Sequence, residues 1–235
     1  MRFVRLLLYT AWLTASHVQA AAVFAHFIVG NVPTWGLPDW KHDIRLATKA
    51  HIDAFALNMA YGWYANEDTL ALAFQAAEQE NFQLFFLLIS LIKRYSSSSA
   101  YFQHKGGPFV STFEGPGNAG DWNNIKAQRG CFFVPDWSSL GAIPAADATD
   151  GVVDGLFNWA SWPWGNKNMT TFIDASYLQT LNETGKPYMM PVSPWFYTNM
   201  PGYDKNWLWR DDDTWYQRWQ QIWYLQPEFV QIISW

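Results

Sequence analysis

Acids, amides and indoles recur together at the ends of short apolar runs in this chain. They occur at His26 with Gly30-Asn31, at Asn58, in Thr112-Phe-Glu114-Gly-Pro-Gly117 and in Pro135-Asp136-Trp137. They occur again in Asn158-Trp159-Ala-Ser-Trp162-Pro-Trp164 and Pro191-Val-Ser-Pro-Trp195-Phe-Tyr197. Such a mixture suits carbohydrate: aromatic rings offer flat faces to the C–H side of a sugar, while carboxylates and amides bind its hydroxyls. The candidate binding residues are therefore His26, Asn58, Glu114, Asp136, Trp137, Trp159, Trp162, Trp195 and Tyr197. Sixteen tryptophans, with aromatics at 19% of residues, exceed what a core of this size requires.

Each candidate has a plainer alternative. His26 lies inside an apolar strand, where a hydrogen-bonded interior imidazole is the commoner role. Glu114 and Asp136 can bind a hydroxyl or orient a neighbour as readily as transfer a proton. Asp53 and Asp154 begin strands and read as structural carboxylates, and Asp211-Asp-Asp213 reads as a helix N-cap. The sequence carries no metal-ligand spacing, phosphate loop or Ser-His-Asp arrangement, so no cofactor is expected. Cys131, the single cysteine, is followed by Phe132-Phe-Val134 and reads as a buried, inert thiol with no disulfide partner.

These residues need strands to present them. Val23–Val29, Asp53–Met59, Gln83–Ile89, Pro108–Phe113, Cys131–Pro135, Val152–Trp159, Lys186–Val192 and Phe229–Ser234 have strand character. Helical spacing runs from Leu37 to Ala50, with Trp40, Ile44 and Ala47 on one face, and from Asn66 to Glu80, with Leu70, Ala73, Phe74 and Ala77 inward. Further helices are expected at 170–183 and 211–225. Eight strands alternating with helices predict an α/β fold of the (β/α)8 TIM-barrel type, whose chemistry sits at the C-terminal ends of the strands. Two places depart from the pattern: the third strand runs almost directly into helix-like Leu91–Tyr95, and no helix follows the eighth strand.

Residues 1–20 have the basic start, apolar run (Leu6–Leu13) and small-residue ending (Val18-Gln-Ala20) of a secretory signal peptide. Residues 21–235 then form one barrel domain. Fifteen Lys and Arg against twenty Asp and Glu, with a pI near 5.4, give no attraction to nucleic acid. No later apolar run is long enough for a membrane span. A secreted, extracellular or wall-associated monomer is expected, with N-glycan sequons at Asn168 and Asn182.

Taken together, these segments resemble glycoside hydrolase family 71, the secreted α-1,3-glucanases or mutanases. The likeness rests on Val23-Phe-Ala-His-Phe-Ile-Val-Gly-Asn31, Ile52-Asp-Ala-Phe-Ala-Leu-Asn58 and Phe109-Val-Ser-Thr-Phe-Glu-Gly115. It continues through Phe133-Val-Pro-Asp-Trp-Ser-Ser-Leu-Gly141, Asp154-Gly-Leu-Phe-Asn-Trp159 with Trp162-Pro163, and Pro191-Val-Ser-Pro-Trp-Phe-Tyr-Thr198. The resemblance implies a barrel that cleaves α-1,3-glucan with inversion, which needs two carboxyl groups about 6.5–9.5 Å apart. In the family the eighth strand continues Trp-Asn-Asp-Tyr-Gly-Glu, and the third ends in Ser-Phe-Asp. This sequence stops at Trp235 and has Leu87-Leu-Ile89 at the other place. The expectation is a barrel shortened at its C-terminus and deleted after the third strand, with no catalytic residue assignable and Glu114 and Asp136 on the cleft wall. The alternative to a hydrolase is a glucan-binding remnant without turnover, or a gene-model fragment that lacks the acid/base pair.

Overall fold

Strand and helix alternate from the start of the fold: β1 (Ala22–Ile28), α1 (Leu37–Lys49), β2 (Ala54–Asn58), α2 (Asn66–Glu80) and β3 (Gln83–Phe86). The computed structural model describes residues 21–59, 66–86, 91–148, 151–165, 167–203, 205–209 and 213–233. The leader expected over residues 1–20, the end of the third strand at 87–90, Asp211-Asp212 and Ser234-Trp235 lie outside the described residues.

Both early helices bury the faces that their spacing predicts. Trp40, Ile44 and Ala47 of α1 are buried, as are Leu70, Ala73, Phe74 and Ala77 of α2. Pro38 in the first turn of α1 needs no hydrogen-bond partner for its nitrogen, and Asp39 accepts the Gly36 N–H at 2.9 Å.

The remaining parallel strands are β5 (Gly107–Val110), β6 (Phe132–Phe133), β7 (Leu156–Phe157), β8 (Tyr188–Val192) and β11 (Phe229–Ile232). The parallel pairings run from β6 through β5, β3, β2, β1, β11 and β8 to β7. Asp136 then bridges to Phe113 on one side and to Phe157 on the other, so β6 and β7 meet and the ring of eight closes. The barrel expectation holds, with ladders shorter than the apolar runs. The fifth and sixth strands pair over two residues each, and hydrogen bonds such as Phe157 N to Pro135 O (2.9 Å) extend the join.

Register fixes what fills the barrel. Phe24 pairs beside Gln231 and Ala54, and every second residue of a strand shares a face. Phe24 gathers the rings of Phe85, Phe109 and Phe229 at 4.9, 5.4 and 5.8 Å, an aromatic floor. Two residues further along, in the direction of the C-terminal ends, come His26 and Gln231, which form a polar layer above it.

The short connection expected after the third strand falls at 87–90, outside the described residues; beyond it come one helical turn, α3 (Ile92–Tyr95), and a two-residue strand, β4 (Gln103–His104), antiparallel to β5. Tyr95 stacks on Phe74 at 4.3 Å and Tyr101 donates to Phe109 O at 3.1 Å, so aromatic side chains pack where a longer helix would lie. Phe102 reaches the floor, 4.9 Å from Phe24.

Other elements lacked an apolar rhythm. α4 (Asp121–Arg129) buries Trp122, α5 (Ala142–Asp147) is short and contains a proline, and β9 (Phe196–Met200) pairs with β10 (Lys205–Trp209) in a separate hairpin. The later helices are α6 (Phe172–Asn182) and α7 (Thr214–Leu225). Asp53 and Asp154 are structural: Asp53 accepts Val23 N–H at 2.8 Å, and Asp154 accepts Phe133 N–H at 2.8 Å and Lys126 Nζ at 2.6 Å.

Candidate active site

Asp136 sits where the barrel closes, and its backbone is fixed on both sides. Its N–H donates to Thr112 O and its carbonyl accepts the Glu114 N–H, each at 2.8 Å. The side chain is fully buried. Oδ1 accepts the Ser138 N–H at 3.0 Å and the Ser138 hydroxyl, while Oδ2 has no hydrogen-bond partner among the described residues. Burial pushes the carboxyl up to about 7; the Ser138 bonds oppose the rise, and the charge of Glu114 adds to it.

Ser138 is the hub of this corner. Its hydroxyl donates to Asp136 and accepts the Trp159 N–H at 2.7 Å. Ser139 donates both its N–H (2.9 Å) and its hydroxyl (2.6 Å) to the Glu114 carboxylate. Glu114 has φ 54°, a left-handed conformation uncommon outside glycine, and Gly115 follows at φ 89°. Strain of this kind persists only where surrounding bonds hold it, and it concentrates at functional sites.

His26 anchors the polar layer. Asn58 Nδ2 lies 3.2 Å from Nε2 and Gln231 Nε2 lies 3.4 Å from Nδ1. Burial lowers the imidazole to about 4, so it is neutral near pH 7. His26 is thus an interior imidazole, yet it also lines an open cavity of about 540 Å³ with Asn31, Trp35, Asp43 and Ile233. The Trp159 ring meets it edge-on at 5.0 Å.

Trp159 also lines a second, mostly apolar cavity of about 420 Å³, with Trp162, Trp164, Ile173, Phe196 and Met200. Trp162 and Phe196 stack at 4.2 Å with their planes 13° apart. The loop carrying these indoles is tied to the helices behind it. Asn158 accepts the Ala160 N–H at 2.8 Å and donates to the Tyr188 hydroxyl, which donates to Asp174 at 2.8 Å. Asp174 in turn receives Arg218 at 2.7 and 2.9 Å.

The candidates therefore fall into groups. His26 and Asn58 lie together, Glu114 and Asp136 lie together, and Trp159 contacts both groups through His26 and Ser138. Trp162 belongs to the apolar cavity, and Trp195 and Tyr197 are more than half exposed. Trp137 needs correction. It is 1% exposed, packed against Phe133, and offers no face to a sugar. Asp136 has no exposed surface, and its side-chain hydrogen bonds go to Ser138.

Sequence reasoning passed over Ser138, Ser139, Gln231 and the Asp174–Arg218 pair. Gln231 left a signal, a polar residue inside Phe229-Val-Gln-Ile-Ile233, and the two serines directly follow a flagged strand end. Nothing local marked Asp174 and Arg218, which stand on different helices, α6 and α7, and meet only in the folded chain. Among the described residues no group of three His, Cys, Asp or Glu is placed to hold a metal ion.

Residues 19–235 match the profile of glycosyl hydrolase family 71. A mutanase of Penicillium rubens is 37% identical over 245 residues, covering 94% of this chain and 53% of that protein. The glucan endo-1,3-alpha-glucosidase agn1 of Schizosaccharomyces pombe is 30% identical, covering 97% of this chain and 59% of its own length. The chain thus spans little more than half the length of these curated relatives. Among solved structures, a GH99 endo-alpha-mannosidase of Bacteroides thetaiotaomicron has a TM-score of 0.68 at 13% identity, covering 90% of this chain and 82% of that one, a likeness of fold.

Proposed function

The chain belongs to glycosyl hydrolase family 71, and from that premise we propose that it is an α-1,3-glucan hydrolase cutting internal bonds of the polymer. The observation that carries the reading is the grouping at the C-terminal barrel face. Trp159 joins an imidazole–amide cluster (His26, Asn58) to a carboxyl–serine cluster (Glu114, Asp136, Ser138) beside an open cavity. Aromatic faces next to fixed acceptors and donors are what a sugar ring requires. The name of the Schizosaccharomyces pombe relative supports the α-1,3 linkage.

In this reading Glu114, Asn58 and Trp159 contact the glucan, and exposed Trp195 and Tyr197 extend the contact along the rim. His26 and Ser138 hold these groups in place. Inversion at the anomeric carbon is part of the proposal and rests on the family resemblance alone. Secretion through a leader at residues 1–20, a single barrel domain over 21–235 and action as a monomer belong to it as well. Among the described residues no helix is long and apolar enough to cross a membrane.

One observation favours a second reading, retention of glucan without turnover: the carboxyl of Asp136 is fully buried. Release of reducing ends from α-1,3-glucan decides between them. A steady rise, with the β-anomer appearing first by NMR, supports inverting hydrolysis. Binding with no new reducing ends supports retention alone.

A further inference from the structure

We infer that the apolar cavity beside Trp162 and Phe196 is a second sugar subsite, which holds glucosyl units of the chain whose neighbouring units occupy the cavity at His26. This rests on the glucan reading above and adds to it a division of the cleft into two parts.

Three observations support the division. First, Trp159 stands between the two cavities: its ring is edge-on at 5.0 Å to His26, which lines the first, and it lines the second itself. A chain leaving the central cavity across this indole enters the second one directly.

Second, the pocket is built by an insertion that the barrel does not need. Between the end of β8 at Val192 and the start of α7 at Thr214 lies the β9–β10 hairpin, where strand-to-helix connections are commonly about 2–6 residues. Phe196 and Met200 of that hairpin line the pocket. Long loops over the C-terminal face of a barrel are where substrate contacts are made.

Third, the wall has the right chemistry and is held firmly. Trp162 and Phe196 stack at 4.2 Å, and Trp164 is 69% exposed. Indole faces with a polar N–H edge suit a sugar, which is apolar on its C–H face and polar around its rim. The loop carrying them is pinned by Asn158, through the Ala160 N–H at 2.8 Å. An occupant of about 420 Å³ falls within the range of ordinary ligand pockets, about 300–1,000 Å³.

The test is calorimetric titration of the purified chain with S-linked α-1,3-gluco-oligosaccharides, which resist hydrolysis, of two and of five units. The unaltered chain should bind the pentamer more tightly than the dimer. Trp164→Ala, at a position 69% exposed, and Trp162→Ala should each weaken the pentamer about tenfold while changing the dimer less than about twofold. Trp162→Phe should restore most of the loss. Equal weakening at both lengths, or none in either variant, overturns the second subsite and leaves the glucan reading intact. An unaltered chain that binds neither oligosaccharide overturns both.

Discussion

The carboxyl of Asp136 and the hydroxyl of Ser138 are hydrogen-bonded at the point where the barrel closes, and the same hydroxyl accepts the Trp159 N–H at 2.7 Å. A buried acid at one strand end is thereby coupled to the indole loop at the next. The consequences of that burial can be measured.

Asp136 should make the fold sensitive to pH. Its carboxyl is raised to about 7 in the folded chain, against about 3.9 when unfolded. Below about pH 4 both states hold the proton, so this stabilisation is fully present. As pH rises towards 7 the unfolded chain releases its proton and the folded chain does not, and the stabilisation is lost. Asp136→Asn has no such proton to lose. Its melting temperature relative to the parent should rise from pH 4 to about pH 7 and then level off. His26, lowered to about 4, contributes with the opposite sign, but it is present in both proteins and cancels from the difference. A difference that stays constant with pH contradicts the assignment.

The Asp174–Arg218 pair should be costly to break. Both side chains are 1% exposed or less, and Tyr188, Gln221 and the Pro191 carbonyl complete their bonding. Removing one charge strands the other, which typically costs about 3–5 kcal/mol. Asp174→Asn should lower the urea midpoint by a corresponding amount, and adding Arg218→Met should recover part of it. A single-variant loss under about 1 kcal/mol would mean that the pair does not hold α6 to α7.

Cys131 should be silent to thiol reagents in the native state. It is 3% exposed, and burial pushes its thiol up to about 11, so little nucleophilic thiolate forms at pH 8. A disulfide-exchange reagent should label it only after denaturation. Rapid native labelling would contradict its burial.

Gly107 begins β5 against a neighbouring backbone. A Cβ there would lie 2.3 Å from the Gly130 carbonyl oxygen, too close for any real contact. Gly107→Ala should cost about 1–3 kcal/mol by calorimetry. Gly117→Ala, with nothing within 4 Å of the new atom, should stay within about 0.5 kcal/mol.

What was legible in the sequence follows from how far each signal reaches. The helix faces of Trp40-Ile44-Ala47 and Leu70-Ala73-Phe74-Ala77 repeat every three or four residues and were readable locally. So was the alternation of strands and helices that specifies a barrel. The β9–β10 hairpin was missed because Phe196–Met200 and Lys205–Trp209 alternate weakly in sequence. At the site, His26, Asn58, Glu114 and Trp159 were legible as residues at or near strand ends, and the fold brings them to the C-terminal side of the barrel. Trp137 was misjudged because a strand-end indole has the same local sequence whether its ring turns outward or, as here, packs on Phe133. Asp174 and Arg218 are 44 residues apart, and only the tertiary fold brings them together.

The central claim is that the C-terminal barrel face binds α-1,3-linked glucan through Trp159 and its neighbours. Co-sedimentation of the purified chain with insoluble α-1,3-glucan, beside β-1,3-glucan at equal mass, tests it most directly. The account predicts retention on the α-linked polymer, little on the β-linked one, and release into the supernatant by Trp159→Ala. Equal retention on both polymers, or retention unchanged by Trp159→Ala, would contradict it.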